Sequence, residues 1–156
     1  MSVFKLPKMK KEEIEKLVRE QIICRVAYQE DNGPTMSLFQ YTELDGSLFF
    51  HFTEYGEKLK MLEKGGPVAV EIDDFAEDLG EFRFALLKGR LKVVTDSEKK
   101  AKVIDKMALE GRNRLSTKFL AAHGLGEGSD WSSFKAKKDL TVVEFIPTKA
   151  VGLRSP

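Results

Sequence analysis

Leu44-Asp45-Gly46-Ser47-Leu48-Phe49-Phe50-His51-Phe52-Thr53-Glu54-Tyr55-Gly56-Glu57-Lys58-Leu59-Lys60 sets turn, strand and helix signals in direct succession. Leu44-Asp45-Gly46 carries turn chemistry, so Ser47 to Phe52 leaves a turn as an extended run. Leu48, Phe49, Phe50 and Phe52 around His51 leave no polar face; the run is too apolar for a one-sided edge strand and reads as a buried one. Gly56 to Lys64 then places Leu59 and Leu62 on one side and lysines on the other, a short helix that Gly65-Gly66-Pro67 ends sharply. A strand ending in a hydroxyl residue, a Gly-containing turn and a lysine-rich first helical turn together offer a phosphate a hydroxyl, main-chain N–H groups and ammonium donors. The same residues also suit a capped turn followed by solvated lysines at positions 58, 60 and 64, which on this segment alone is the commoner arrangement.

Working outward, Lys10 to Ile22 puts Ile14, Leu17 and Val18 on one helical face among Lys and Glu. Ile22 to Tyr28 and Thr35 to Thr42 are β-prone and flank the turn Asp31-Asn32-Gly33-Pro34, which predicts a hairpin. Val68 to Ile72 is a fourth strand. After an acidic loop from Asp73 to Glu81 comes a longer strand, Phe82 to Val94, with a bulge or bend expected at Gly89. Thr95-Asp96-Ser97-Glu98 opens a helix that runs through Val103, Ile104 and Met107 to Gly111, and a second helical stretch is expected at Arg114 to Ala122. Gly124 to Lys138, rich in Gly and Ser, reads as a loop, and Leu140 to Phe145 and Ala150 to Leu153 close the chain as strand around Pro147. The fold class is mainly β with peripheral helices, an antiparallel barrel, because consecutive strands joined by tight turns pair and closure removes exposed edges.

With 156 residues, 42% hydrophobic and 33% charged, the chain suits a single domain spanning 1–156 that buries a core and keeps a wettable surface. The charges nearly cancel, 26 Lys plus Arg against 25 Asp plus Glu. No global field therefore recruits nucleic acid or a membrane surface, and any anion site is local. Cys24 is the lone cysteine, which leaves no intramolecular disulfide or cysteine metal cluster and fits a reducing cytoplasm. The Lys- and Glu-rich N-terminal region carries no export signal or membrane span.

Two histidines and one cysteine far apart in sequence make no zinc set, so no metal is expected. His51 suits either a cofactor-facing or a core role, His123 reads as a surface residue, and Trp131 as a tether of its loop. Phe39 and Tyr41 read as core aromatics, and Cys24 as a small buried residue with no base near it in sequence.

Taken in order, Cys24-Arg25-Val26-Ala27, Gly33-Pro34, Met36-Ser37-Leu38-Phe39, Leu48 to Thr53, Gly56-Glu57-Lys58, Val68-Ala69-Val70-Glu71-Ile72-Asp73 and Gly89-Arg90 resemble the FMN-binding split barrels related to pyridoxamine 5'-phosphate oxidase. The nitroimidazole-resistance-like branch is the most similar. The resemblance covers most of the chain and lies in the ordered set and not in one motif. It implies an antiparallel split β-barrel that works as a homodimer with FMN at the subunit interface. Thr35, Met36, Ser37 and Leu38 would line the isoalloxazine, His51 would face cofactor or substrate, and Thr53 and Lys58 would hold the phosphate. Glu57 departs from the family pattern, since an acid beside a dianion is unfavourable unless it points away.

The implied activity is a flavin oxidoreductase moving a hydride or electrons between a reduced nicotinamide and a small-molecule acceptor. A flavin storage or sensing protein without turnover is the alternative, and below it a haem- or deazaflavin-binding barrel, with His51 and His123 as the candidate axial ligands. The C-terminal residues Val151-Gly152-Leu153-Arg154-Ser155-Pro156 lack the basic substrate motif of the true oxidases, which argues against pyridoxamine phosphate as substrate.

Overall fold

In the computed structural model of the protein, residues 4–53, 57–136 and 140–156 are described. The elements run α1 (Lys11–Glu20), β1 (Ile23–Glu30), β2 (Gly33–Gln40), β3 (Thr42–Leu44), β4 (Ser47–Thr53), α2 (Glu57–Lys64), β5 (Val68–Phe75), β6 (Phe82–Val93), α3 (Ser97–Arg114), a 3-10 helix (Thr117–His123), α4 (Trp131–Ala136) and β7 (Leu140–Arg154). Mainly β, antiparallel and accompanied by helices, this is the fold class expected from the sequence.

The chain divides into two compact units, and β6 and β7 contribute residues to both. The first unit comprises residues 1–39, 66–90 and 147–156, with strands in the order β2-β1-β5-β6-β7. Strand β1 pairs antiparallel with β5, Val26 opposite Val70, and β5 pairs with β6 in unbroken register from Phe75 opposite Phe82 to Val68 opposite Gly89. Gly89 therefore closes a regular ladder where a bulge or bend was expected. Alternation buries Cys24, Val26 and Tyr28 on β1 and Val68, Val70 and Ile72 on β5, while Arg25 between them bridges to Glu71 at 2.8 Å and Asp73 at 3.0 Å. Helix α1 packs on β5 through Ile14 and Leu17, one turn apart, and starts where the Lys10 N–H donates to Glu13 Oε2 at 2.6 Å.

The second unit comprises residues 40–65 and 91–146, with the order β6-β7-β4-β3. Strand β4 is hydrogen-bonded on both sides, to β3 and to β7, and Phe49, Phe50, His51 and Phe52 are all buried, as an apolar run without a polar face requires. The β3–β4 turn places Asp45 and Gly46 both at positive φ, 52° and 83°, the primed-turn geometry that Asp-Gly permits. Helix α3 is capped by Asp96, whose carboxylate accepts from Lys99 N at 2.6 Å, and it buries Val103 against Phe49 and Val142.

Three further expectations about elements change. Thr35 to Thr42 is not one strand: β2 ends at Gln40 and a separate β3 begins at Thr42. Gln40 is buried and donates from Nε2 to Met107 O on α3 at 2.9 Å, and Thr42 donates to Glu110 Oε2 at 2.6 Å, so helix contacts end one strand and seat the next. Gly124 to Lys138 holds a helix, α4, where a loop was expected. Its first turn is organised by Asp130, which accepts from Ser133 N at 2.9 Å. The closing strand β7 runs without a break through Pro147.

Candidate functional site

The residues expected to bind a flavin fall into two groups, one in each unit. In the first unit, Thr35, Met36, Ser37 and Leu38 lie on β2, the last strand of its order. Their side chains alternate, as a strand demands: Thr35 and Ser37 are half-buried, whereas Met36 and Leu38 are 61% and 52% exposed. Ser37 Oγ lies 3.3 Å from the buried Tyr28 hydroxyl on the paired strand. β2 thus combines an apolar outer row with edge main-chain groups that no described strand pairs. Pro34 suits such an edge, where a missing N–H costs no ladder bond.

In the second unit, His51, Thr53 and Lys58 lie on β4 and α2, which pack together. Thr53 closes β4 opposite Leu140. The turn Glu54–Gly56 of the expected phosphate cradle lies outside the described residues, as do the side chains of Thr53 and Glu57. Lys58 is half-buried, and loss of hydration pushes its pKa down.

His51 and His123 form the centre of this group. His51, 7% exposed, and His123, 2% exposed, join through His51 Nε2 and His123 Nδ1, their rings stacked with centroids 4.4 Å apart. Around them stand Phe134, 4.8 Å from His123 and 5.1 Å from His51, Phe119 at 5.4 Å and Trp131 at 5.5 Å from His123. Burial first, and then the Lys58 ammonium, lowers the His123 pKa to about 4, so the imidazole is neutral at pH 7. The structure therefore brings Lys58 into electrostatic reach of His123, and His123 to His51.

His123 was expected at the surface, and that expectation is overturned: it is buried in an aromatic box. The sequence signal lay in spacing, for Leu120 and His123 are one turn apart at the end of a helical stretch that Gly124 stops at φ 72°. Trp131 serves as the tether expected of it, since its ring lies on Gly111 of α3 where any Cβ would collide with it. Phe39, Tyr41 and Cys24 are core residues, and burial, reinforced by Glu71, pushes the Cys24 thiol far above its usual range.

A groove of about 730 Å³ in the first unit is lined by Lys16, Glu20, Asp74, Arg83 and Arg154, and none of the expected flavin residues borders it. Its charges satisfy one another: Arg83 Nη2 meets Glu20 at 2.5 Å and Asp74 at 2.8 Å.

With this fold in view, a family model described as pyridoxamine 5'-phosphate oxidase matches residues 10–126, three quarters of the chain. The chain belongs to the pyridoxamine 5'-phosphate oxidase family. Among curated proteins nothing matches. Among solved structures, an FAD-binding protein from Mesorhizobium loti matches with a TM-score of 0.66 at 14% identity, over 98% of this chain and 100% of that one. A protein described as a 5-nitroimidazole antibiotic resistance protein from Bacteroides thetaiotaomicron matches at 0.67 and 16%, over 96% and 90%. The haem storage protein of Vibrio cholerae matches at 0.65 and 15%, over 92% and 94%. At such identities the likeness is one of fold. The family membership and the antiparallel split β-barrel read from the sequence are both borne out.

Proposed function

We propose that the protein binds FMN as a single split-barrel domain over residues 1–156, and works as a cytoplasmic homodimer that passes a hydride or electrons from a reduced nicotinamide to a small-molecule acceptor. The observation that carries the reading is the outer row of β2. Met36 and Leu38 stand exposed on an edge strand whose neighbouring main chain can donate and accept hydrogen bonds, which suits a flat apolar ring with a polar rim. Bound flavin would supply the redox chemistry; the residues of this chain bind and orient it. Thr35 to Leu38 would line the ring, His51 would face cofactor or substrate, and Thr53 and Lys58 would hold the phosphate. Lys58, already half-stripped of water, gains from an anionic partner.

The family match and the fold shared with an FAD-binding protein support a flavin. The match to a haem storage protein raises haem as a second ligand, but the burial of both candidate axial histidines weighs against it: His51 and His123 are 7% and 2% exposed and stand among Phe119, Trp131 and Phe134, so an iron would have to enter that aromatic box. The same exposed row supports the homodimer, since a stable interface of about 2,000 Å² needs apolar surface of this kind. No helix among the described residues is long and apolar enough to cross a membrane.

The test is the visible spectrum of the purified protein, with sedimentation velocity alongside. A flavin spectrum on a dimer is the expected result. A haem or deazaflavin spectrum, or a flavin-loaded monomer, would overturn the corresponding part of the proposal.

A further inference from the structure

Alternation along β1 and β2 sorts their side chains onto two faces. Tyr28 and Ser37, whose hydroxyl oxygens lie 3.3 Å apart, share the covered face with Cys24 and Val26. Arg25 therefore lies on the open face of the first unit, the one that carries the exposed Met36 and Leu38. Leu38 follows the start of β2 at Gly33 by five positions, and Arg25 precedes the end of β1 at Glu30 by five, so the turn at Asp31 and Asn32 sets the two side by side on neighbouring strands.

On its other flank Arg25 stands in register with Glu71 on β5. Arg25 Nη1 donates to Glu71 Oε2 at 2.8 Å and to Asp73 Oδ2 at 3.0 Å, and both carboxylates are half-buried. One nitrogen thus serves two carboxylates, which fixes the plane of the guanidinium. Nε and Nη2 meet no acceptor among the described residues, and the side chain is 43% exposed. A permanently charged fork is therefore held in place with the donors of two nitrogens uncommitted. Ala27 and Ala69, paired across β1 and β5 beside it, keep that part of the face low.

We infer that Arg25 meets the polar edge of the flavin ring, donating from Nε and Nη2 to its N1 and C2=O, with Glu71 and Asp73 as the positioning residues that orient it. The inference rests on the flavin reading proposed above, which lays the ring against Met36 and Leu38. Neighbouring strands stand about 4.8 Å apart, so an edge that overhangs β2 by one strand reaches Arg25. Hydride transfer from a reduced nicotinamide brings two electrons and one proton and leaves the donor as its cation. The negative charge gained resides on N1 and C2=O, where the Arg25 guanidinium lowers its energy. Arg25 thereby favours the reduced cofactor over the oxidised one.

Redox titration of the FMN-loaded full-length protein, with equilibrium binding of oxidised FMN alongside, tests this. Arg25→Gln should weaken reduced FMN roughly ten- to a hundredfold more than oxidised FMN, the worth of a charge-assisted contact, and so lower the two-electron potential by about 30–60 mV. Arg25, Glu71 and Asp73 together carry a net charge of −1, one guanidinium against two carboxylates. Combining Arg25→Gln with Glu71→Gln restores that net charge and spares Glu71 an unpaired carboxylate. The double variant should keep the lowered potential, because the fork is still missing. An unchanged potential in Arg25→Gln, or a wild-type potential in the double variant, overturns the assignment, the second by showing that net charge alone is felt. Wild-type protein that takes up no FMN would remove the flavin reading and the assignment with it, whereas FMN-loaded variants with unmoved potentials leave that reading standing.

Discussion

Acid should unfold this protein through His123. The imidazole is 2% exposed, and its pKa in the fold is about 4 against an ordinary value of 6.5. Above pH 6.5 the folded and unfolded chains are both neutral at this residue and it contributes no pH dependence. As pH falls below 6.5 the unfolded chain takes up a proton that the folded chain refuses, so stability falls with pH until the folded imidazole itself protonates near pH 4. A tenfold change in a protonation equilibrium corresponds to about 1.4 kcal/mol, so a pKa of about 4 in place of 6.5 amounts to about 3 kcal/mol lost between pH 6.5 and pH 4. That is a large part of the roughly 5–15 kcal/mol by which small domains are stable. Carboxylates such as Glu144, held down by Lys99, add acid sensitivity of their own, so the assay must be differential. Urea unfolding of wild type and His123→Phe, followed by fluorescence of Trp131, reports on the box itself, since that indole lies against His123. Stability should drop by about 3 kcal/mol more in the wild type than in the variant between pH 7 and pH 4. Equal pH slopes for the two proteins would refute the buried, neutral imidazole.

Gly111→Ala should destabilise by about 1–3 kcal/mol, because the new methyl group runs into the Trp131 ring; thermal melts with a matched Gly126→Ala control, where nothing stands near, will show it. Asp96→Ala should cost about 1 kcal/mol by removing the cap of α3, measured as a lower urea midpoint with unchanged slope. Lys58→Ala should weaken FMN by roughly ten- to a hundredfold while leaving riboflavin nearly unaffected; equal losses for both would assign the lysine to the fold and not to a phosphate.

Local physics wrote much of this structure plainly into the chain. The Asp45-Gly46 turn, the two-sided burial of Leu48 to Phe52, the Asp96 cap and the Gly65 stop each depend on a few neighbouring residues, and each stands where its residues put it. What stayed hidden depends on distant partners. The break between β2 and β3 is set by Gln40 and Thr42 reaching Met107 and Glu110, 67 and 68 residues away. Helix α4 arises in a Gly- and Ser-rich stretch because Trp131 and Phe134 bury themselves against α3, and its one local cue was Asp130 ahead of Ser133. His123 looked like a surface residue because its buried Nδ1 pairs with a nitrogen of a histidine 72 residues away, a pairing that no local pattern announces. The expected flavin residues were legible only through the family resemblance; neither the periodicity of β2 nor the lysines of α2 would have singled them out.

If this chain holds a flavin by ring and phosphate together, equilibrium titration of the wild-type protein with FMN and with riboflavin separates the two contributions. The expected outcome is saturation at one FMN per chain, with riboflavin roughly ten- to a hundredfold weaker, the worth of one or two charge-assisted phosphate contacts. Failure of FMN to bind at all, or riboflavin binding as tightly as FMN, would contradict it.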